Sequence, residues 1–274
     1  MANGTVLGEY LRARRQATAV EDVGLPDIGR RRTPGLRREE LAMLAGVSID
    51  YYIRLEQGRE QRPSPQVLAS IADALRLDDD AAEYLFDLVH TPPRPPDGAE
   101  RQRAHPTLLQ LMSGWHNNPA FLIGRGLNVL ATNRLADKLY EGQPGQDNCL
   151  NLIFSPESRH FYVDWEQAAT YKVGELRAAL GRAPGDPGLR QLVEDLSAQS
   201  DDFRTLWARH DVWNRRNEVK RFIHHDVGPV TVTWDVFTVN SAPCQQLVVM
   251  GAEPESTSER ALAHLGRAVA LRPV

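Results

Sequence analysis

The stretch LAMLAGVSIDYYIRLEQG, from Leu41 to Gly58, restricts the fold of this chain more than any other. Two short apolar-periodic runs meet there at one glycine. Helices that cross steeply must approach closely, and Ala42 and Ala45 supply small side chains for the contact. Gly46 allows the positive φ of a tight helix end. Val47 fills the space under the turn, and Ser48 is placed to cap the next helix. With Tyr52 and Leu55 facing inward, Ile49, Asp50, Tyr51 and Arg54 face outward from the start of that helix. Such a pair presents the N-terminal half of its second helix to a DNA major groove. An ordinary helical hairpin in a small bundle is the alternative reading of the spacing by itself.

The flanks read as helix too. Val6 to Thr18 is amphipathic through Leu7, Tyr10, Leu11 and Arg14, and Leu36 to Ala45 and Ser48 to Gln57 form the central pair. Ser64 before Pro65 suits an N-cap followed by proline at the first helical position, and Val67, Leu68, Ile71, Ala72 and Leu75 continue that helix. Ala81 to Val89 makes a fifth. Residues 1–90 are thus expected to form an all-α five-helix domain. HTPPRPPDGAERQRAHP follows, and its prolines make residues 91–106 a semi-rigid linker.

Residues 107–274 change character. Thr107 to His116 reads as a short helix, and PAFLIGRGLNVLAT as two strands around Arg125-Gly126. Asn133 is placed to cap RLADKLYEG. Ser158 to Leu180 and Leu189 to His210 read as helices. EVKRFIHH, PVTVTWDVFTV and QQLVVMGA read as an antiparallel meander turning at Val227-Gly228 and Ser241-Ala242. Ser256 to Leu271 is a last helix, with STSE as a capping box. Strands, helices and strands in this order make an α+β domain.

The net charge of −4 excludes a general coat for nucleic acid, so charge is judged locally. Five arginines and no acid lie between Arg30 and Arg38, while Asp73 to Asp87 is acidic. Arg30, Arg31 and Arg32 suit a phosphate backbone or a minor groove; covering acids of their own domain is the plainer role. No run approaches a membrane span, and the first residues lack a signal-peptide core, so a cytoplasmic, nucleoid-associated protein with no membrane insertion is expected. Cys149 and Cys244 have no metal spacing and are expected to be reduced. The only lysines are Lys138, Lys172 and Lys220, a bias that points to GC-rich coding.

RRRTPGLRREELAMLAGVS, DYYIRLEQGRE and PSPQVLASIADALRL together resemble the helix-turn-helix domain of the XRE and lambda-repressor type, and most closely that of MmyB-like regulators. The resemblance spans Val6 to Val89 and implies a sequence-specific transcription factor. It places Ser48, Ile49, Asp50, Tyr51 and Arg54 where a recognition helix meets double-stranded DNA. Arg54 suits guanine O6 and N7, and Ile49 a thymine methyl. Asp50 either accepts from cytosine N4 or orients a neighbouring arginine. Arg38 and the Tyr51 hydroxyl suit phosphates, and Arg15 with Glu56 matches a structural pair joining the first and third helices.

PAFLIGRGLNVLATNRLADKLY and VKRFIHHDVGPVTVTWDVFTV resemble the PAS-like ligand-binding domain of the same regulators, over about Thr107 to Leu271. That resemblance implies a small apolar ligand, with fatty acids the known class, and no other cofactor. Trp165, Tyr171, Trp207, Phe222, Trp234 and Phe237 are candidates for cavity walls, although each suits an ordinary core as well. Arg177 and His210 are candidates to anchor a carboxylate. His224-His225-Asp226 does not read as a metal site, because adjacent strand residues point to opposite faces. No nucleophile elbow, metal-hydrolase pair or G-x-G-x-x-G is present, so no enzyme is expected. One such DNA module covers a half-site, so a homodimer on a palindromic operator is expected. A constitutive DNA-binding protein with a docking or dimerising C-terminal domain is the alternative. An enzyme with a DNA-binding head is a further one.

Overall fold

The structure is a computed structural model that describes residues 6–26, 35–90, 103–183, 185–212, 218–242 and 245–270. Cys244, Arg30, Arg31, Arg32 and most of the Pro-rich linker lie outside these residues. Backbone contacts divide the chain into two compact units. The first holds Met1–Pro96 with Arg177–Pro187 and Thr205–Asn214; the second holds Asp97–Leu176, Gly188–Arg204 and Arg215–Val274.

The first unit carries α1 (Val6–Ala17), α2 (Arg38–Leu44), α3 (Ile49–Glu56), α4 (Pro65–Ala74) and α5 (Asp79–His90). Its caps follow from the sequence. Ser48 Oγ accepts from Tyr51 N at 3.2 Å, and Ser64 Oγ accepts from Val67 N at 3.3 Å, with Pro65 opening the helix. The core gathers Leu7, Tyr10, Leu11, Leu41, Tyr52, Leu55, Leu68, Ile71 and Leu85. Ala42 and Ala45 are buried in it, as the close helix crossing demands.

The second unit begins with α6 (Pro106–Ser113), β1 (Ala120–Ile123), β2 (Val129–Thr132), α7 (Arg134–Leu139), α8 (Cys149–Ile153) and α9 (Ser158–Phe161). Then come α10 (Trp165–Arg182), α11 (Pro187–Gln199) and α12 (Asp201–Ala208), of which α10 and α12 end in segments assigned to the first unit. The strands β3 (Glu218–His224), β4 (Gly228–Thr238) and β5 (Gln246–Gly251), and α13 (Thr257–Ala270), complete the chain. All pairings are antiparallel, in the order β2-β1-β5-β4-β3. The expected meander is present, and β5 carries it onto the first hairpin. On β4, Val230, Val232 and Trp234 are buried while Pro229, Thr231 and Thr233 are exposed, the alternation of a sheet with one covered face.

Two expected helices are broken. Between α9 and α10, Tyr162 is extended and bridges Phe222, and Val163 N donates to the Arg221 carbonyl, so this chain segment serves the sheet edge. Between α11 and α12, Ser200 Oγ accepts from Phe203 N and starts a new helix. Asn133 caps α7 as expected, accepting from Ala136 N at 2.9 Å and Ala120 N at 3.1 Å. Its amide donates to the carbonyls of Asn118 and Trp115, so one buried side chain joins α7, β1 and the preceding loop. Only half of the STSE box forms: Ser256 Oγ accepts from Glu259 N, while Glu259 accepts from Glu255 N.

Candidate DNA-contact surface and ligand cavity

The helix-turn-helix is built from α2 and α3. Gly46 has φ +65°, and Val47 N closes the turn on the Ala42 carbonyl at 3.0 Å. Tyr52 and Leu55 are fully buried, which turns the rest of α3 outward. Ser48, Ile49, Asp50 and Arg54 are exposed, Ile49 at 41% despite its apolar side chain, and Tyr51 is half-buried. The Arg54 guanidinium lies 5.6 Å over the Tyr51 ring, near the outer limit for a cation–π contact.

Glu56 fixes this surface from behind. Only 1% exposed, it accepts from Arg15 Nε at 2.6 Å and from Arg38 Nε at 2.7 Å. Burial opposes its charge, but these two hydrogen bonds prevail and hold the carboxyl below the usual range. Arg15 also donates to the Leu36 carbonyl at 2.6 Å, so α1, α3 and the start of α2 share one ionic centre. Arg38 therefore has one nitrogen committed to Glu56, and its side chain remains 40% exposed. Gly8 is a residue that sequence reasoning passed over. A Cβ at that position would collide with the Glu56 carbonyl oxygen, so α1 crosses α3 at a distance open only to glycine.

In the second unit a partly open cavity lies between the covered sheet face and the helices α7, α8 and α10. Phe121, Val129, Ala136, Leu152, Ile153 and Ala168 make much of its wall. Besides Thr132 and Gln146, polar groups enter at two places. Tyr140, Tyr162 and Cys149 lie on one side, and burial raises the phenol pKa of both tyrosines. Lys172, Lys220 and Trp234 form the other. The lysines are 4% and 6% exposed, and their ammoniums lie 4.9 Å and 3.7 Å from the Trp234 ring centroid. Lys172 also pairs with Glu175 at 2.9 Å. The Trp234 indole N–H, in a residue 4% exposed, has no hydrogen-bond partner among the described residues.

Of the residues expected at the cavity, Trp234 lines it. Tyr171 lines a smaller hollow with Asp164, Val219 and Arg221. Trp165 is tied into the core by its indole N–H, which donates to the Ile153 carbonyl at 2.7 Å and Ser158 Oγ at 2.9 Å. Phe222 is fully buried among Tyr140, Phe161 and Tyr162, and Phe237 is 54% exposed. Arg177, Trp207 and His210 lie in the first unit instead. The carboxylate-anchor role expected of Arg177 and His210 does not fit that placement. The Arg177 guanidinium stacks there 3.9 Å over Trp207, donates to the Trp207 carbonyl, and reaches His210 Nδ1 at 3.1 Å, while its buried Nε has no hydrogen-bond partner among the described residues. The cations at the cavity are Lys172 and Lys220. Sequence reasoning singled out neither as a site residue.

The ligand atoms of His224, His225 and Asp226 lie within 4.8 Å of one another. His224 has both ring nitrogens engaged, however. Nδ1 accepts from Asp226 N and Nε2 meets the Lys138 carbonyl, each at 3.1 Å, while the Asp226 carboxylate pairs with Lys138 at 2.9 Å. Adjacent side chains thus converge after all, because the strand ends there, but their hydrogen bonds leave His224 no lone pair for an ion. No helix among the described residues is long and apolar enough to cross a membrane.

Comparison with known families finds a match for each half of the chain. A helix-turn-helix domain model matches residues 6–85, and a model of the MmyB-like transcription regulator ligand binding domain matches residues 104–265. No curated protein matches the chain. With an exposed α3 face ahead of a cavity-bearing α+β domain, and with more than half its length matched by the second model, this chain belongs to the MmyB-like transcription regulators.

Proposed function

We propose that the protein is a sequence-specific transcription regulator whose DNA affinity responds to a small amphiphilic ligand, a fatty acid or similar carboxylate, held in the cavity of the C-terminal domain. Ser48, Ile49, Asp50, Tyr51 and Arg54 read or flank the bases, and Arg38 with Arg30, Arg31 and Arg32 holds phosphates. The protein acts as a homodimer on a palindromic operator, in the cytoplasm at the nucleoid, and its C-terminal domain is PAS-like, a reading that the strand order β2-β1-β5-β4-β3 supports. It performs no catalysis.

The single observation that carries the ligand reading is the cationic corner of a largely apolar cavity. Two of the chain's three lysines and the unpartnered Trp234 N–H meet there. Apolar pockets with a few convergent polar groups orient amphiphiles. A carboxylate at that corner gains charge-assisted hydrogen bonds, and its tail runs along Leu152, Ile153 and Val129. The test compares dodecanoate with dodecanol on the full chain by isothermal titration. Dodecanoate is expected to bind more tightly, and Lys220→Met to weaken it by about 10- to 100-fold, the equivalent of ~1.5–3 kcal/mol for a hydrogen bond to a charged group. Equal affinity for the alcohol and the acid, or binding of neither, overturns the reading. The alternative, a C-terminal domain that only docks a partner or a second copy, draws on the exposed Val219 and Ile223 of β3, and native mass spectra showing dimers with an empty cavity would favour it.

A further inference from the structure

We propose that the DNA-binding unit is completed by a clamp from the distal half of the chain, formed by the described residues of Arg177–Pro187 and Thr205–Asn214, and that DNA affinity depends on this clamp. Both segments fall inside the family match to the ligand-binding domain, yet both belong to the compact unit of the helix-turn-helix. Ala178 and Val212, 2% and 4% exposed, are members of the same apolar core as Tyr10, Leu11, Tyr84 and Leu85. Burial at this level is the environment of a domain interior, not of a surface that brushes a neighbour.

Three contacts define the clamp. Gly181 on α10 faces Tyr84 on α5 so closely that a Cβ would fall on the ring at Cε2. The ring has nowhere to go, because Tyr84 is 4% exposed and packs edge-on against Tyr10 at 4.9 Å. Tyr10 is held in turn by its hydroxyl, which donates to the Ala81 carbonyl at 3.0 Å. At the other segment, Arg14 of α1 reaches Asp211 at 3.5 Å, and Arg209 holds the same carboxylate at 3.0 Å. The clamp is closed on itself by Arg177, stacked over Trp207 and bonded to the Trp207 carbonyl and His210.

The consequence for DNA follows from helix periodicity. Tyr10 and Arg14, four residues apart, share the face of α1 that the clamp holds. Gly8 and Arg15, seven apart, share another face, the one that fixes α3 through the Glu56 carbonyl and carboxylate. Helix α1 therefore lies between clamp and recognition helix, and a released clamp lets α1, and α3 with it, shift. The argument holds whatever the cavity binds, so its test is separable from the ligand reading.

The test uses full-length chains, amide hydrogen exchange of α1 and α5, and affinity for a mixed-sequence duplex at low salt. Gly181→Ala is expected to speed exchange in both helices by on the order of tenfold and to weaken duplex binding, with far smaller effects in a Tyr84→Leu background, where the ring is gone. Equal effects in both backgrounds, or none in either, overturn the proposal. If G181A does not fold, the charge pair decides. R14D and D211R each speed exchange in α1; the double swap restoring it supports the clamp, and a swap no better than the single changes overturns it.

Discussion

Glu56→Ala removes the buried acid that joins α1 and the start of α2 to the back of the exposed α3 face. Arg15 and Arg38 each lose a short charge-assisted hydrogen bond, at 2.6 Å and 2.7 Å. The losses differ in kind. The Arg38 side chain is 40% exposed and turns to water at little cost, whereas that of Arg15 is 6% exposed and is left as a buried charge without a counter-ion. Breaking such a buried pair from one side costs about 3–5 kcal/mol, a large part of the ~5–15 kcal/mol that holds an ordinary domain together. The proton dependence has a definite sign. The Glu56 carboxyl titrates below its usual value of 4.5 in the folded protein, so its contribution is complete above that pH and is lost as pH falls through the depressed value. The deficit of E56A relative to wild type is therefore largest near neutrality and shrinks in acid. Urea unfolding of the full chain, followed by circular dichroism at a series of pH values, measures both quantities. A cost below about 1 kcal/mol at neutral pH, or a deficit that does not shrink below pH 4.5, would refute the assignment of Glu56 as the ionic centre.

His210 is held down to about 4 from the usual 6.5 by burial and by the positive charges of Arg177 and Arg14. Folded stability is then full above pH 6.5 and is lost toward pH 4, at up to about 1.4 kcal/mol per pH unit. His210→Asn keeps an acceptor for Arg177 and tolerates the left-handed backbone at φ +56°. Its unfolding free energy should be flatter across that window, and a slope equal to wild type contradicts the placement. Asn133→Ala strips the cap of α7 and leaves the buried Ala120 N–H without its acceptor, for a loss of about 3 kcal/mol. Thermal scans of the full chain should show it, and a loss under about 0.5 kcal/mol would mean that Asn133 does not join these elements.

The DNA-binding half was legible because its determinants are local. A glycine at a positive-φ turn, a serine three residues before the amide it caps and a proline at the first helical position each act within one helical turn. Gly8 escaped because nothing near it in sequence announces the backbone that passes it. The α+β class of the C-terminal half was legible from its alternating strands, and its cavity was not. Whether Lys172 or Arg177, five residues apart on one helix, faces the cavity depends on where α10 docks, which its own sequence does not encode. Helix α8 is five residues long, too short for a periodic signal, and Asn148, which caps it and also donates to the Gly126 carbonyl, was its only mark.

The two cavity lysines have a practical corollary for chemical labelling. Amine-selective reagents meet a proteome's worth of lysines on most proteins, but this chain offers three side chains. Lys138 is engaged by Glu141 and Asp226, which raise its pKa and suppress its nucleophilic form. A slim, chain-like activated ester would therefore sort itself by shape as well as by chemistry. It would reach Lys172, which pairs with Glu175, and Lys220 only by entering the cavity, and a competing occupant would be read directly as protection of those two nitrogens.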